Sequence, residues 1–108
     1  MRQLLPRELK RLLDGPNGEK QLLVDIRSAE EFSICSIPGS VSFPNDSIYD
    51  NYDSLNKDQP VVVVCHGFDR SVSVAIFLER KGFSDVSVLI GGIDAWALRV
   101  DNTMPRYK

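Results

Sequence analysis

Cysteine, histidine and tryptophan are scarce in this chain of 108 residues, which holds two, one and one of them respectively. Two cysteines cannot form a regular disulfide framework, so their number favours a reducing compartment, the cytoplasm. Two cysteines and one histidine also fall short of a closed tetrahedral metal site without carboxylate help, and we expect no bound metal. A disulfide between Cys35 and Cys65 is still allowed by the count.

Long apolar runs and an excess of basic charge are also missing. No apolar stretch approaches the length that spans a membrane, and the first residues lack the apolar core and cleavage site of a signal peptide. The net charge is −2 with the two signs interspersed, so no basic surface for nucleic acid is expected. The chain is long enough to bury one core, which predicts a single domain over residues 1–108 without membrane or nucleic-acid partners.

Predicted helices and strands alternate along the chain. Apolar runs bounded by turn residues predict strands over 21–26, 41–43, 61–64 and 86–89. Helical periodicity and end signals predict helices from Pro6 to Leu13, after Ser28 with Glu31 in a capping box, over Ser71–Lys81 and over Ile93–Leu98, with a helical turn or two inside 45–58. Such alternation is typical of an α/β fold with a mostly parallel sheet, helices on both faces, and ligands at the carboxyl ends of the strands.

Cys65 follows the most apolar of these strands, Val61–Val64, and a short loop connects it to the helix that begins near Ser71. Backbone N–H groups and the positive end of a helix dipole at this point favour an anion. Arg70 adds a cation, so we expect the Cys65 sulfur to be a nucleophilic thiolate. The alternative is a buried cysteine that acts only as a small apolar residue.

Four further residues, His66, Asp25, Arg27 and Cys35, carry groups that could take part in chemistry. Neighbouring residues that leave a strand point in different directions, so His66 is expected to shape the loop or add partial positive charge rather than form a dyad with Cys65. Asp25 and Arg27, with Glu30 or Glu31, are expected to tie a strand end to the next helix rather than take part in chemistry. Cys35 is expected to be a spectator, with the role of a resolving thiol as the alternative.

Several short motifs occur together in a recognisable order. They are Asp25-Ile26-Arg27 with Glu30-Glu31-Phe32, Ile37-Pro38-Gly39-Ser40, the loop from Cys65 to Ser71, Gly82-Phe83 with Val86, and Gly91-Gly92-Ile93 with Ala95-Trp96. In this order and spacing the chain resembles the rhodanese-like domain family of sulfurtransferases over nearly its whole length. The resemblance implies a central, mostly parallel five-stranded sheet with helices on both faces.

The same resemblance implies a chemistry. Cys65 would accept a sulfane sulfur from a donor such as thiosulfate, hold it as a persulfide, and pass it to a thiol, cyanide or protein acceptor without an external cofactor. The residues implied to bind the donor are His66, Gly67, Phe68, Asp69, Arg70 and Ser71. The segment from Val100 to Tyr107 resembles the ends of rhodanese domains fused to ubiquitin-activating-like enzymes, which implies a sulfur-carrier protein as a possible acceptor.

Two alternatives to a sulfurtransferase come from the loop. Phe68 stands where family loops often carry glycine, and Asp69 places a negative charge beside the anion site; both features favour a weakly active or inactive binding module. A cysteine-dependent phosphatase is the other alternative, but four residues separate Cys65 from Arg70, whereas related phosphatases have five. The shorter loop favours the smaller persulfide sulfur over a phosphate.

Overall fold

A computed structural model describes residues 1–44, 47–67 and 69–107 of the chain. Its strands are β1 (Arg2–Leu4), β2 (Leu22–Asp25), β3 (Val41–Ser42), β4 (Val61–Val64) and β5 (Val86–Leu89). Its α-helices are α1 (Pro6–Asp14), α2 (Ala29–Ile34), α3 (Ile48–Asn51), α4 (Asp69–Arg80) and α5 (Gly92–Arg99), and 3₁₀ turns cover Gly18–Lys20 and Tyr52–Ser54. Among the helices of these ranges, none is long and apolar enough to cross a membrane.

The five strands form one sheet in the order β1-β5-β4-β2-β3, and every pairing is parallel. Strand β4 is central, between β5 and β2, and Val64 at its end is paired with Asp25 at the end of β2. The predicted five-stranded sheet is confirmed. Since all strands run the same way, their carboxyl ends lie along one edge, and Cys65 comes directly after the middle strand of that edge.

Helices cover both faces of the sheet, as the alternation of β4 side chains shows. Val62 and Val64 belong to an apolar cluster with α1 and α5, whereas Val61 and Val63 belong to a second cluster with α3 and α4. All four valines are at most 1% exposed, so β4 is buried on both faces, as its unbroken apolar sequence predicts. We call these the α5 face and the α4 face.

Most of the predicted boundaries agree with the structure. The predicted bounds of β4 and β5 are confirmed, and so is the capping box, in which the Ser28 hydroxyl accepts from the Glu31 amide while the Glu31 carboxylate accepts from the Ser28 amide. The predicted strands over 21–26 and 41–43 are two residues and one residue too long, respectively. Helix α4 begins two residues earlier than predicted, and α5 is one residue longer than predicted at each end. The turns predicted inside 45–58 are α3 and the 3₁₀ turn that follows it, while Asn45 and Asp46 lie outside the described residues.

Strand β1 is not predicted from the sequence. It has three residues and pairs with β5 alone, at the edge of the sheet. Three residues shortly before Pro6 are too few to show an alternation of apolar and polar side chains. The strand is stabilised by its pairing with β5, which is distant in sequence.

Candidate active site

The residues predicted to bind and activate sulfur lie in the segment that connects β4 to α4 and in the first turn of that helix. Cys65 is 2% exposed and packs in the apolar cluster of the α4 face. Gly67 in the loop and Asp69 and Arg70 in the first turn of α4 are exposed to solvent, whereas His66 is half-buried. The candidate nucleophile is therefore buried, while part of the loop and helix turn around it reaches the surface.

The loop is held from one side by the first turn of α5. The carbonyl oxygen of Cys65 accepts from the Ile93 amide at 2.8 Å, and the carbonyl oxygen of His66 accepts from the Asp94 amide at 3.3 Å. In a trans peptide the C=O and the next N–H point in opposite directions, so the amides of His66 and Gly67 point away from α5. Within the described part of the chain, neither amide donates to another protein group.

Gly92 allows this close approach of loop and helix. Its φ is +60°, and a Cβ atom built on it would lie 2.6 Å from the carbonyl oxygen of His66 and closer still to those of Cys65 and Gly67. Only glycine fits a left-handed backbone position with three oxygens at that distance. Sequence reasoning identified Gly91-Gly92 only as a break before α5 and missed this role in the site.

The side chain of His66 points away from Cys65, as the strand geometry predicts. Its Nε2 lies 3.1 Å from the carbonyl oxygen of Tyr107, and the two rings pack on each other with their centroids 4.7 Å apart. A carbonyl oxygen only accepts, so Nε2 carries the proton in this bond. His66 therefore contacts the α5 side of the loop, and a Cys65–His66 dyad is not formed. The contact with Tyr107 was not predicted.

A buried ion pair lies at the neighbouring strand end. Arg27 and Asp25 are 0% and 1% exposed, and the guanidinium donates to both carboxylate oxygens, with an Nη2–Oδ2 distance of 2.7 Å. Arg27 also donates to the carbonyl oxygens of Glu31 and Cys35 on α2 and at its end. Burial alone lowers the pKa of Arg27, but the bonds to Asp25 and Tyr107 outweigh it and raise that pKa overall. The predicted tie between strand end and helix is confirmed.

The other predicted donor-binding residues have different surroundings. Arg70 donates from Nη2 to the carbonyl oxygen of Ile26 at 3.3 Å, which holds its guanidinium near the end of β2. Asp69 is the first residue of α4, and it forms no ion pair with any other described residue. The hydroxyl of Ser71 is buried and, in the ranges that the structure covers, has no hydrogen-bond partner. Phe68 lies outside the described residues.

The two cysteines are free and belong to opposite faces of the sheet. Cys65 packs on the α4 face, whereas Cys35 packs on the α5 face and lies 3.8 Å from the Arg27 guanidinium. The alternative of a disulfide between Cys35 and Cys65 is not borne out. Because the β-sheet lies between their two clusters, the structure does not favour Cys35 as a resolving thiol for Cys65.

Comparisons with known proteins identify the family to which this chain belongs. The model of the Rhodanese-like domain matches residues 5–99. This chain belongs to the rhodanese-like domain family. The match extends from the start of α1 to the end of α5 and so includes the loop around Cys65.

Relatives and solved structures of the rhodanese-like family agree with this assignment. Thiosulfate sulfurtransferase GlpE of Pseudomonas savastanoi pv. phaseolicola is 43% identical over 75 residues, which cover 69% of this chain and 71% of that protein. Adenylyltransferase and sulfurtransferase UBA4 of Debaryomyces hansenii is 28% identical over 93% of this chain, which spans 24% of UBA4. The rhodanese-like domain protein of Staphylococcus aureus has a TM-score of 0.78 at 36% identity, covering 89% of this chain and 91% of that one. These relatives support the predicted rhodanese-type sulfurtransferase.

Proposed function

We propose that this rhodanese-like chain transfers sulfane sulfur through Cys65, with thiosulfate as the donor. The Cys65 thiolate attacks the outer sulfur of thiosulfate, a new S–S bond forms, and sulfite leaves with the electrons of the broken S–S bond. An acceptor thiolate or cyanide then attacks the terminal sulfur of the persulfide, which restores the Cys65 thiolate. No redox cofactor takes part in this exchange.

The observation that carries the proposal is the orientation of the loop amides. With the carbonyls of Cys65 and His66 bound to α5, the amides of His66 and Gly67 are fixed on the other side of the loop, and no described residue accepts a hydrogen bond from them. Donors fixed in advance stabilise developing negative charge without reorganisation, and each contributes about 3–4 kcal/mol in known sites of this kind. They suit both a thiolate and the terminal sulfur of a persulfide.

Two side chains supply further support. A buried hydroxyl without a partner costs about 1–3 kcal/mol. The Ser71 hydroxyl at the start of α4 has no partner among the described residues, which favours a ligand or reaction intermediate that pairs with it. Arg70 lies at the same end of the sheet and provides a cation for the anionic donor. Apart from its two chain neighbours, no described residue lies within 4 Å of the position of a Cβ atom on Gly67, which leaves room for that donor.

The acceptor is proposed by chemical class. A small thiol, cyanide or a thiol of a sulfur-carrier protein would attack the terminal sulfur of the persulfide. The relative UBA4 is named both adenylyltransferase and sulfurtransferase, which supports a protein acceptor as one of these classes. No metal takes part in the proposed steps.

Intact mass after incubation with thiosulfate tests the proposal directly. We expect the protein to gain the mass of one sulfur atom, removable by dithiothreitol, because Cys65 holds it as a persulfide. Cys65→Ser should abolish the gain and Cys35→Ser should not, since Cys35 lies on the other face of the sheet. An unmodified protein would favour the binding-module alternative, and an adduct on Cys35 would contradict the assignment of Cys65. Aryl phosphate should not be hydrolysed in parallel assays.

A second expected result concerns the exposed charge of Asp69. Asp69→Asn should lower the KM for thiosulfate several-fold, because one exposed charge a few ångströms away contributes on the order of 1 kcal/mol. Arg70→Ala should raise that KM, and both effects should shrink with added salt. Glu19→Gln is the matched control, since Glu19 is exposed and precedes β2 at the opposite edge of the sheet. Equal changes for Asp69→Asn and Glu19→Gln would show that Asp69 does not face the donor.

A further inference from the structure

The segment that follows α5 folds back over the α5 side of the active-site loop. Its turn is closed by bonds from the Asp101 amide to Trp96 and from the Met104 amide to Asp101, both at 3.1 Å. Met104 is buried in the cluster of the α5 face. Arg106 then forms an ion pair with Asp94 at 2.8 Å, and this bond lowers the pKa of Asp94. These contacts bring Tyr107 to the loop.

Tyr107 contacts two elements of the site at once. Its carbonyl oxygen and its ring both hold His66, through the Nε2 bond at 3.1 Å and the ring contact at 4.7 Å. Its hydroxyl accepts a hydrogen bond from Nη1 of Arg27 at 2.9 Å. Because Arg27 is fixed by the buried ion pair with Asp25, the tyrosine connects the rigid end of β2 to the residue next to Cys65.

The phenol of Tyr107 keeps its proton near neutral pH. Burial raises the pKa of Tyr107 to about 12, against the opposing effect of Arg27, while the carboxylate of Glu31 acts in the same direction as burial. The contact with Arg27 is therefore a neutral hydroxyl on a cation, and it does not change with pH near neutrality.

We propose that Tyr107 is a positioning residue for sulfur transfer, and that it acts through His66. This inference rests on the proposed function of Cys65. Holding the imidazole from the α5 side fixes the peptide between Cys65 and His66, whose carbonyl already bonds to Ile93, and thereby fixes the direction of the His66 and Gly67 amides. Tyr107 itself does not touch the donor, because its contacts lie on the face opposite to Cys65.

Tyr107→Leu tests this role, since leucine keeps apolar bulk and removes both the ring contact and the phenol. We expect the kcat for thiosulfate-to-thiol transfer to fall roughly tenfold, because small misplacement of reacting groups has effects of this size or larger. The alkylation rate of Cys65 near neutral pH, measured in a Cys35→Ser background, should fall as well. Tyr107→Phe restores the ring and should recover part of both losses. Tyr52→Leu is the matched control, because Tyr52 packs on Phe77, distant along α4 from the loop.

A double-mutant cycle shows whether the effect passes through His66. In a His66→Ala background, Tyr107→Leu should change kcat less than about twofold, because coupled residues are not additive. The proposal would be overturned if Tyr107→Leu lowered kcat as much in the His66→Ala background as in the wild-type protein. It would also be overturned if folded Tyr107→Leu kept the wild-type kcat and alkylation rate.

Nuclear magnetic resonance gives a readout that needs no turnover. His66 is the only histidine of the chain, so its ring protons are identified without ambiguity. We expect their chemical shifts to move in Tyr107→Leu and to return toward the wild-type values in Tyr107→Phe. If wild-type protein forms no persulfide, the proposed function fails, whereas unchanged His66 shifts in Tyr107→Leu would refute the positioning role by itself.

Discussion

Gly92→Ala is expected to destabilise the protein by about 2–5 kcal/mol and to abolish sulfur transfer in whatever fraction stays folded. The left-handed backbone contributes about 1–2 kcal/mol of this loss for a residue with a Cβ atom. The displacement of three carbonyl oxygens contributes a further 1–3 kcal/mol or so, the typical effect of overpacking. Since two of those oxygens bond to α5, the shift also turns the loop amides away from their fixed direction.

Gly39→Ala separates the two contributions to the Gly92 effect. Gly39 has a φ of +86°, and no described residue other than its chain neighbours lies within 4 Å of the position of its Cβ. This control should therefore show the backbone effect alone, with full activity. Urea denaturation of both variants measures the difference in unfolding free energy. If Gly92→Ala lowers the free energy of unfolding no more than Gly39→Ala does, the loop moves freely enough to accept a methyl group.

Arg27→Met is expected to lower the free energy of unfolding by about 3–5 kcal/mol, because it leaves the buried carboxylate of Asp25 without a partner. The substitution also removes the donor to the carbonyl oxygen of Cys35, which lies 2.6 Å from Nη2. Arg2→Met is the control, since Arg2 and Asp85 form an exposed pair that contributes at most about 1 kcal/mol.

The double variant Asp25→Leu/Arg27→Met makes this test specific to the ion pair. Its loss in free energy of unfolding should be smaller than the sum of the losses of the two single variants, because the double variant leaves no charge buried. Strict additivity would show that Asp25 and Arg27 contribute independently, through packing rather than through each other.

The central part of the fold follows from local sequence. Val61–Val64 is apolar without interruption because both faces of β4 are covered, and Ser28 with Glu31 marks the start of α2 through bonds made within one turn. The same local logic places Cys65 at a strand end before a helix. Signals of this kind depend on neighbours a few residues apart, so a sequence pattern contains them.

The features that escaped prediction depend on pairs distant along the chain. Position 92 requires glycine because of carbonyl oxygens 25 to 27 positions earlier in the sequence. The residues adjacent to Gly92 in the sequence do not indicate this requirement. Tyr107 reaches Arg27 across 80 positions. The segment that contains it was noted only as a family resemblance, and its contact with the active-site loop has no periodic signature.

The order of strands has a consequence for how the chain reaches its native state during synthesis. Strand β5 pairs with both β1 and β4, and the register joins Leu4 to Leu89. Bringing such distant segments together carries a larger loop-closure entropy than the pairing of β2 with β4, so β1 is expected to join late. Until residue 89 has left the ribosome, the valine-rich β4 has one edge without a partner, and an unpaired apolar edge invites aggregation. The strand that leads to Cys65 is therefore prone to aggregation until β5 has been synthesised and can pair with it.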